Sequence, residues 1–171
     1  MKIAGMDCDL PVYPINDQLS IAAFILFDHT ELTVKVAEEL LKKAPDFDII
    51  LTPEAKAISL AYEMSKQSGK RYIVARKGTK VYMGNPISVD VQSITTENIQ
   101  HLYLGELEAE AIKGKKVLIV DDVISTGESL KSVIELCEKV GGEIVASCAV
   151  LAEGDASKRD DIIFLEPLPL L

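Results

Sequence analysis

The stretch Val117-Leu118-Ile119-Val120-Asp121-Asp122-Val123-Ile124-Ser125-Thr126-Gly127-Glu128-Ser129 constrains this chain more than any other. Four apolar residues run into two carboxylates and then into a hydroxyl-rich turn that holds a glycine. Beyond it Leu130, Val133, Ile134, Cys137 and Val140 recur on one face of a helix. A short, unbroken apolar run suits a strand buried on both faces of a parallel sheet. The turn at its carboxyl end is where open α/β sheets place ligands. The free N–H groups at the start of the helix, with the hydroxyls of Ser125, Thr126 and Ser129, suit a phosphate. Asp121 and Asp122 are acceptors and suit hydroxyl groups, and a vicinal diol could engage both. Phosphate beside diol describes a ribose 5-phosphate. A generic strand-turn-helix, with the acids ending the strand and Ser-Thr-Gly capping the helix, would use the same residues.

The rest of the chain reads as one α/β domain with a parallel sheet. With 171 residues there is room for one full core and too little for two. Ile21–Phe27 reads as a buried strand. Thr30 is placed to cap a helix over 31–43 with a stripe of Leu32, Val36, Leu40 and Ala44, ended by Pro45. Asp48–Thr52 reads as a second buried strand, followed by a helix ending near Ser68-Gly69 and a strand over Arg71–Arg76. That alternation predicts parallel pairing. Residues 77–105 break the rhythm: turn signals at 77–80 and 84–86 surround a hairpin with strands at 88–94 and 99–104. A long interruption of this kind suits a mobile arm that closes over a site, although a plain surface hairpin reads the same way. A short helix over Glu106–Ile112 precedes the signature strand, and Gly141-Gly142 suits the end of the signature helix. Strands at Glu143–Leu151 and Asp161–Leu165 flank a polar loop. The lead-in, residues 1–20, reads as irregular with one short strand, and the apolar tail 167–171 is expected to pack on the body or on a second subunit.

Charge and cysteine usage narrow the function classes. The net charge is −9, without the basic stripe of a general nucleic-acid binder. The apolar run at 21–27 is too short to span a bilayer, and Asp7 and Asp9 precede any hydrophobic stretch, so neither a membrane span nor a signal peptide is expected. Three cysteines lack metal-ligand spacing; Cys137 and Cys148 sit in apolar patterns. His29 and His101 stand alone, so a metal site made of protein ligands is not expected. These features point to a cytoplasmic protein. An acidic chain that holds a polyanion needs local cations and a divalent ion carried in with the ligand.

The 117–129 stretch resembles the ribose-phosphate signature of the type I phosphoribosyltransferases, and residues 28–165 lean toward the adenine and xanthine branch of that family. Leu51-Thr52-Pro53-Glu54-Ala55-Lys56-Ala57 is similar to that branch's pyrophosphate loop, with Ala57 where the branch has glycine. Ala75-Arg76-Lys77 resembles its Arg-Lys pair, and Ser93-Ile94-Thr95-Thr96-Glu97 its mobile-loop Ser-x-x-x-Glu stretch. Thr96-Glu97-Asn98-Ile99 lacks the aromatic and glycine that follow the glutamate in typical adenine enzymes. In hypoxanthine-guanine enzymes an acid stands at the position of Ser125, which weighs against that branch.

The resemblance implies a type I phosphoribosyltransferase core with a small hood, drawn from about 1–20 and 152–171, and a flexible hairpin arm at 77–105. It implies transfer of the phosphoribosyl group of phosphoribosyl pyrophosphate to a purine base, adenine first and xanthine next, with Mg²⁺ carried by the substrate. In this pattern Asp121 and Asp122 would hold the ribose hydroxyls. Ser125, Thr126, Gly127, Glu128 and Ser129 would hold the 5-phosphate. Glu54, Ala55, Lys56, Arg76 and Lys77 would surround the pyrophosphate, with a non-proline cis peptide expected between Glu54 and Ala55. Glu97 would accept a hydrogen bond or a proton at the base. Tyr13 and Phe24 are candidate stacking groups in the hood, completed by the loop around Glu153. A homodimer is expected by the same analogy, formed near the pyrophosphate loop. The alternatives are a regulatory protein that senses phosphoribosyl pyrophosphate without transferring it, and an orotate-type enzyme. Regulators related to the adenine branch carry an added DNA-binding domain, for which this chain has no room. The Glu-Ala-Lys-Ala loop does not fit the orotate type.

Overall fold

The computed structural model describes residues 1–16, 19–91 and 100–170. The chain opens with two short antiparallel hairpins: β1 (Lys2–Ile3) with β2 (Met6–Asp7), and β3 (Val12–Asn16) with β4 (Leu19–Ala22). Helix α1 (Thr30–Lys43) leads to β5 (Ile49–Pro53), α2 (Ile58–Ser68) and β6 (Arg71–Ala75). A third hairpin, β7 (Ile87–Val91) and β8 (Gln100–Leu104), is followed by α3 (Glu106–Ile112), β9 (Lys116–Ile124), α4 (Glu128–Lys139), β10 (Glu143–Glu153) and β11 (Ile163–Leu168). Five strands form one parallel sheet in the order β11-β10-β9-β5-β6. The chain builds outward from β5 to β6, then restarts on the other side with β9, β10 and β11. The direction reverses between β5 and β9, which is the switch point where such sheets bind ligands beyond their carboxyl ends.

The central strand has no solvent face. Val117, Leu118, Ile119 and Val120 are each 1% exposed or less. Val117 and Ile119 join the core with Val133 and Leu136 of α4 and Ile112 of α3, while Leu118 and Val120 join Val36, Leu40, Leu60 and Met64 under α1 and α2. The two-residue period of a strand divides an unbroken apolar run between two cores. β9 continues through the two aspartates to Ile124, so the acids belong to the strand rather than to the turn after it.

Two expectations change. Residues 21–27 do not form a strand of the sheet. The chain pairs with the N-terminal hairpin as far as Ala22, the Ala23 N–H donates to Pro11 (2.8 Å), and the backbone beyond is irregular. Burial there alternates: Phe24 and Leu26 are buried, whereas Ile25 and Phe27 are about half-exposed. One face of an apolar run is covered, and its backbone partners lie outside the sheet. Thr30 is the first helical residue and His29 the N-cap, with no side-chain cap. The hairpin expected within 77–105 forms as β7–β8, and its stem is packed: Val89, Leu102 and Leu104 are buried in the α4-side core and Arg76 and Tyr103 exchange backbone hydrogen bonds of 2.9 and 2.8 Å. No helix among the described residues is long and apolar enough to cross a membrane.

Candidate active site

The carboxyl ends of β9, β5 and β6 bring the sequence motifs together. At the end of β9 the chain turns through Ser125-Thr126-Gly127, with Gly127 in the left-handed conformation (φ 87°, ψ 1°) as N-cap of α4. Gly127 has no side chain to cap this helix, and the first N–H, that of Glu128, makes only a long contact to Thr126 Oγ1 (3.5 Å), so the helix start can face an anion. A cavity of about 270 Å³ is lined by Lys77, Asp121 and residues 123–130. Lys77 comes from the end of β6 and Asp121 from β9, so the cavity collects a cation, an acid and an open helix start.

The loop after β5 holds the second half of the site. The peptide between Glu54 and Ala55 is cis. The Glu54 carboxylate accepts from the Lys77 N–H (2.8 Å) and from Arg76 Nε (3.3 Å), and Arg76 Nη1 donates to the Tyr82 hydroxyl (3.1 Å). The Lys77 amide foremost, with Arg76 beside it, holds the Glu54 carboxyl below the usual carboxylate range, against the effect of burial. Glu54 therefore orients the Arg76-Lys77 pair. Lys56 reaches across the sheet ends to Asp122, with Nζ 2.7 Å from Oδ2.

Asp122 is 2% exposed, and the angle of Lys56 is such that Oδ2 receives no well-formed hydrogen bond. Thr52 Oγ1 and Ser59 Oγ are also buried without partners. Thr52 and Ser59 bracket the loop 53–58 in sequence, and Lys56 of that loop meets Asp122. Asp121 lines the cavity. Burial first, and the charge of Asp122 second, push its carboxyl up to about 8.

The remaining candidates fall elsewhere. Glu97 lies outside the described residues. Tyr13 is exposed on β3 (56%), and Glu153 ends β10 half-buried. Phe24 is 3% exposed in the core and still contributes to the lining of a cleft it shares with Phe27. Phe27, three residues on, is half-exposed. It borders a cleft of about 740 Å³ between residues 6–11 and the start of α1, together with Asp28 and His29. Because α1 leads back to the start of β5, its N-terminus lies at the carboxyl edge of the sheet. The apolar letters of 21–27 do not mark which residue stays exposed.

Among the described residues no group of three histidine, cysteine, aspartate or glutamate side chains could hold a metal. Glu54 and Asp122 already face cations.

A switch point with an open helix start, a cavity-facing acid and a cation-bearing loop defines an α/β protein built to receive a phosphorylated ligand at the carboxyl edge of its sheet. The chain belongs to the type I phosphoribosyltransferases, a family of enzymes: the phosphoribosyl transferase domain matches residues 17–167. The hypoxanthine/guanine phosphoribosyltransferase of Methanococcus voltae is 38% identical over 149 residues, covering 86% of this chain and 73% of that enzyme. The adenine phosphoribosyltransferase of Thermotoga petrophila is 37% identical over 109 residues, 63% of this chain and 60% of that enzyme. The crystal structure of the adenine phosphoribosyltransferase from Thermoanaerobacter pseudethanolicus superposes with a TM-score of 0.77 over 93% of this chain and 95% of that one, at 19% identity. The fold is that of the family.

Proposed function

We propose that the protein transfers the phosphoribosyl group of phosphoribosyl pyrophosphate to a purine base, adenine first, giving the nucleoside monophosphate and pyrophosphate. One observation carries the reading: Lys77 and Asp121 line the same cavity as the turn 125–129. A cation for the diphosphate, an acceptor for a ribose hydroxyl and an open helix start for the 5-phosphate thus face one space.

In this reading the free N–H groups after Gly127 receive the 5-phosphate. Asp121 and Asp122 hold the ribose hydroxyls, and the Asp122 carboxylate favours positive charge as it builds on the ring. Lys56 leaves Asp122 for the diphosphate, and Arg76 and Lys77, aimed by Glu54, complete its cradle. The bond between C1 and the diphosphate oxygen breaks while that between C1 and the purine nitrogen forms, with inversion. The proton on that nitrogen passes to an acceptor, the role proposed for Glu97. Mg²⁺ bound with the diphosphate would supply further neutralisation of the leaving oxygens beside Lys56, Arg76 and Lys77.

The base is assigned to the cleft at the start of α1. Its lining includes Asp7, Asp9, Asp28 and Glu31, and no lysine or arginine among the described residues. Carboxylates accept hydrogen bonds, so they suit the exocyclic amino group of adenine better than the carbonyl of a 6-oxopurine. The likeness to hypoxanthine/guanine enzymes supports the second reading, a 6-oxopurine transferase. A homodimer is supported by Val81 and Tyr82, exposed beside Arg76. A cytoplasmic setting fits three unpaired cysteines.

A panel of adenine, hypoxanthine, guanine, xanthine and orotate with phosphoribosyl pyrophosphate and Mg²⁺, followed by pyrophosphate release, tests the reading. Adenine turnover is expected. Turnover confined to hypoxanthine or guanine would give the second reading its place, and tight ligand binding without turnover on any base would leave a sensor. Glu97→Gln should lower kcat far more than ligand affinity; an unchanged rate removes Glu97 from the reaction.

A further inference from the structure

Arg159 belongs to no motif, yet it meets the phosphate turn. It follows the 3-10 turn Gly154–Lys158 that joins β10 to β11, and its N–H donates to the Ala156 carbonyl (3.1 Å). Ala156 is 3% exposed in the α4-side core, so the segment is anchored. The guanidinium makes a fork on Asp161, with Nε 2.8 Å from Oδ1 and Nη2 2.6 Å from Oδ2. That fork leaves Nη1 over, and Nη1 is directed at Gly127: a β-carbon placed on Gly127 would lie 2.8 Å from it.

The charge arrangement is informative. A helix start carries partial positive charge, so a guanidinium beside it is unfavourable on its own. Asp161 offsets part of this and locks the fork geometry. The remainder is offset when a dianion occupies the turn. A flexible surface arginine would simply turn away, whereas this one is held in place at both its backbone and its side chain.

We propose that Arg159 is a positioning residue for the 5-phosphate: braced by Asp161, it bears on Gly127, keeps the N–H groups of the turn aligned, and adds positive potential there. The inference rests on the phosphoribosyltransferase reading above. It gives Gly127 a second reason to be glycine, because the space of its missing side chain is occupied by Arg159.

The test compares two ligands that report on opposite ends of the site, ribose 5-phosphate and magnesium pyrophosphate, by calorimetry on the full chain and on Arg159→Met, Arg159→Lys and Asp161→Asn. Arg159→Met should weaken ribose 5-phosphate by about tenfold and leave pyrophosphate within about twofold, the loss expected for one charge-assisted contact. The KM for phosphoribosyl pyrophosphate should rise by the same factor, with kcat within about threefold. Arg159→Lys should restore part of the loss, and Asp161→Asn should reproduce part of it. Unchanged ribose 5-phosphate binding in Arg159→Met, or an equal loss for both ligands, overturns the proposal. Should Arg159→Met fail to fold, the other two variants decide by the same comparison. If the unaltered protein binds neither ligand, the functional reading falls, and the inference with it; if it binds both and the variants do too, only the inference falls.

Discussion

Lys56 Nζ lies 2.7 Å from Asp122 Oδ2, so the loop after β5 is tied to an acid in the central strand, two strand ends that meet at the switch point. Asp122 is 2% exposed, and in this arrangement its charge is met by a lysine that is itself half in solvent. A ligand bringing hydroxyl donors to Asp122 and a diphosphate to Lys56 would satisfy both groups while separating them.

Replacing Lys56 by methionine should therefore act twice. The lost ion pair contributes about 1 kcal/mol once solvent screening of the exposed lysine is counted. The melting temperature should fall by about 2–4 °C. The KM for phosphoribosyl pyrophosphate should rise by about tenfold or more, since a charge-assisted contact to the diphosphate is lost. A melting curve and a substrate titration check both, and an unchanged KM would remove Lys56 from the diphosphate site.

Asp121 sets a pH dependence of stability. Its folded carboxyl is raised from 3.8 to about 8, so between these values the folded state holds a proton that the unfolded chain has released. The contribution is full below about 3.8 and is lost as pH rises toward about 8. Asp121→Asn keeps a neutral group at all pH values. Its melting temperature should exceed that of the unaltered protein by a margin that grows from pH 5 to pH 8. A margin independent of pH would contradict the shift.

Gly127→Ala meets two obstacles. The left-handed conformation costs a β-carbon about 1–2 kcal/mol, and that carbon would lie 2.8 Å from Arg159 Nη1. Urea denaturation should show a larger loss in the unaltered background than in Arg159→Met, because the second obstacle disappears there. Equal losses in both backgrounds would mean that the two residues do not act on each other.

Phe27 is half-exposed beside Asp28 in the cleft at the start of α1. Phe27→Ala should raise the KM for the purine by about tenfold, the scale of one lost aromatic stack with its buried area. Ribose 5-phosphate binding should stay unchanged. An unaltered KM for the base would place the base elsewhere, and Tyr13 would be the next residue to replace.

Much of the fold was legible because its signals are local. A run of four apolar residues before Asp121 can be buried on both sides only in the middle of a parallel sheet, and Gly127 before Glu128 and Ser129 marks a helix start without reference to anything distant. The cis peptide at Glu54-Ala55 followed from the resemblance of one short loop. The run 21–27 misled for the converse reason. Its composition is that of a buried strand, but whether a strand forms depends on a free sheet edge, and here the backbone partners come from the N-terminal hairpin.

The sequence by itself determined the class of protein: the order of strands and helices, the phosphate turn, the acids at its entrance and the cations one strand away are all contiguous motifs read from neighbouring residues. The tertiary structure alone decided which of these groups meet. Glu54 orients Arg76 and Lys77, Lys56 closes on Asp122, and Arg159 comes to lie against Gly127. Each of these pairs joins residues far apart in the chain, and their approach is set by how the strands stack and where the sheet reverses direction, which no local pattern encodes.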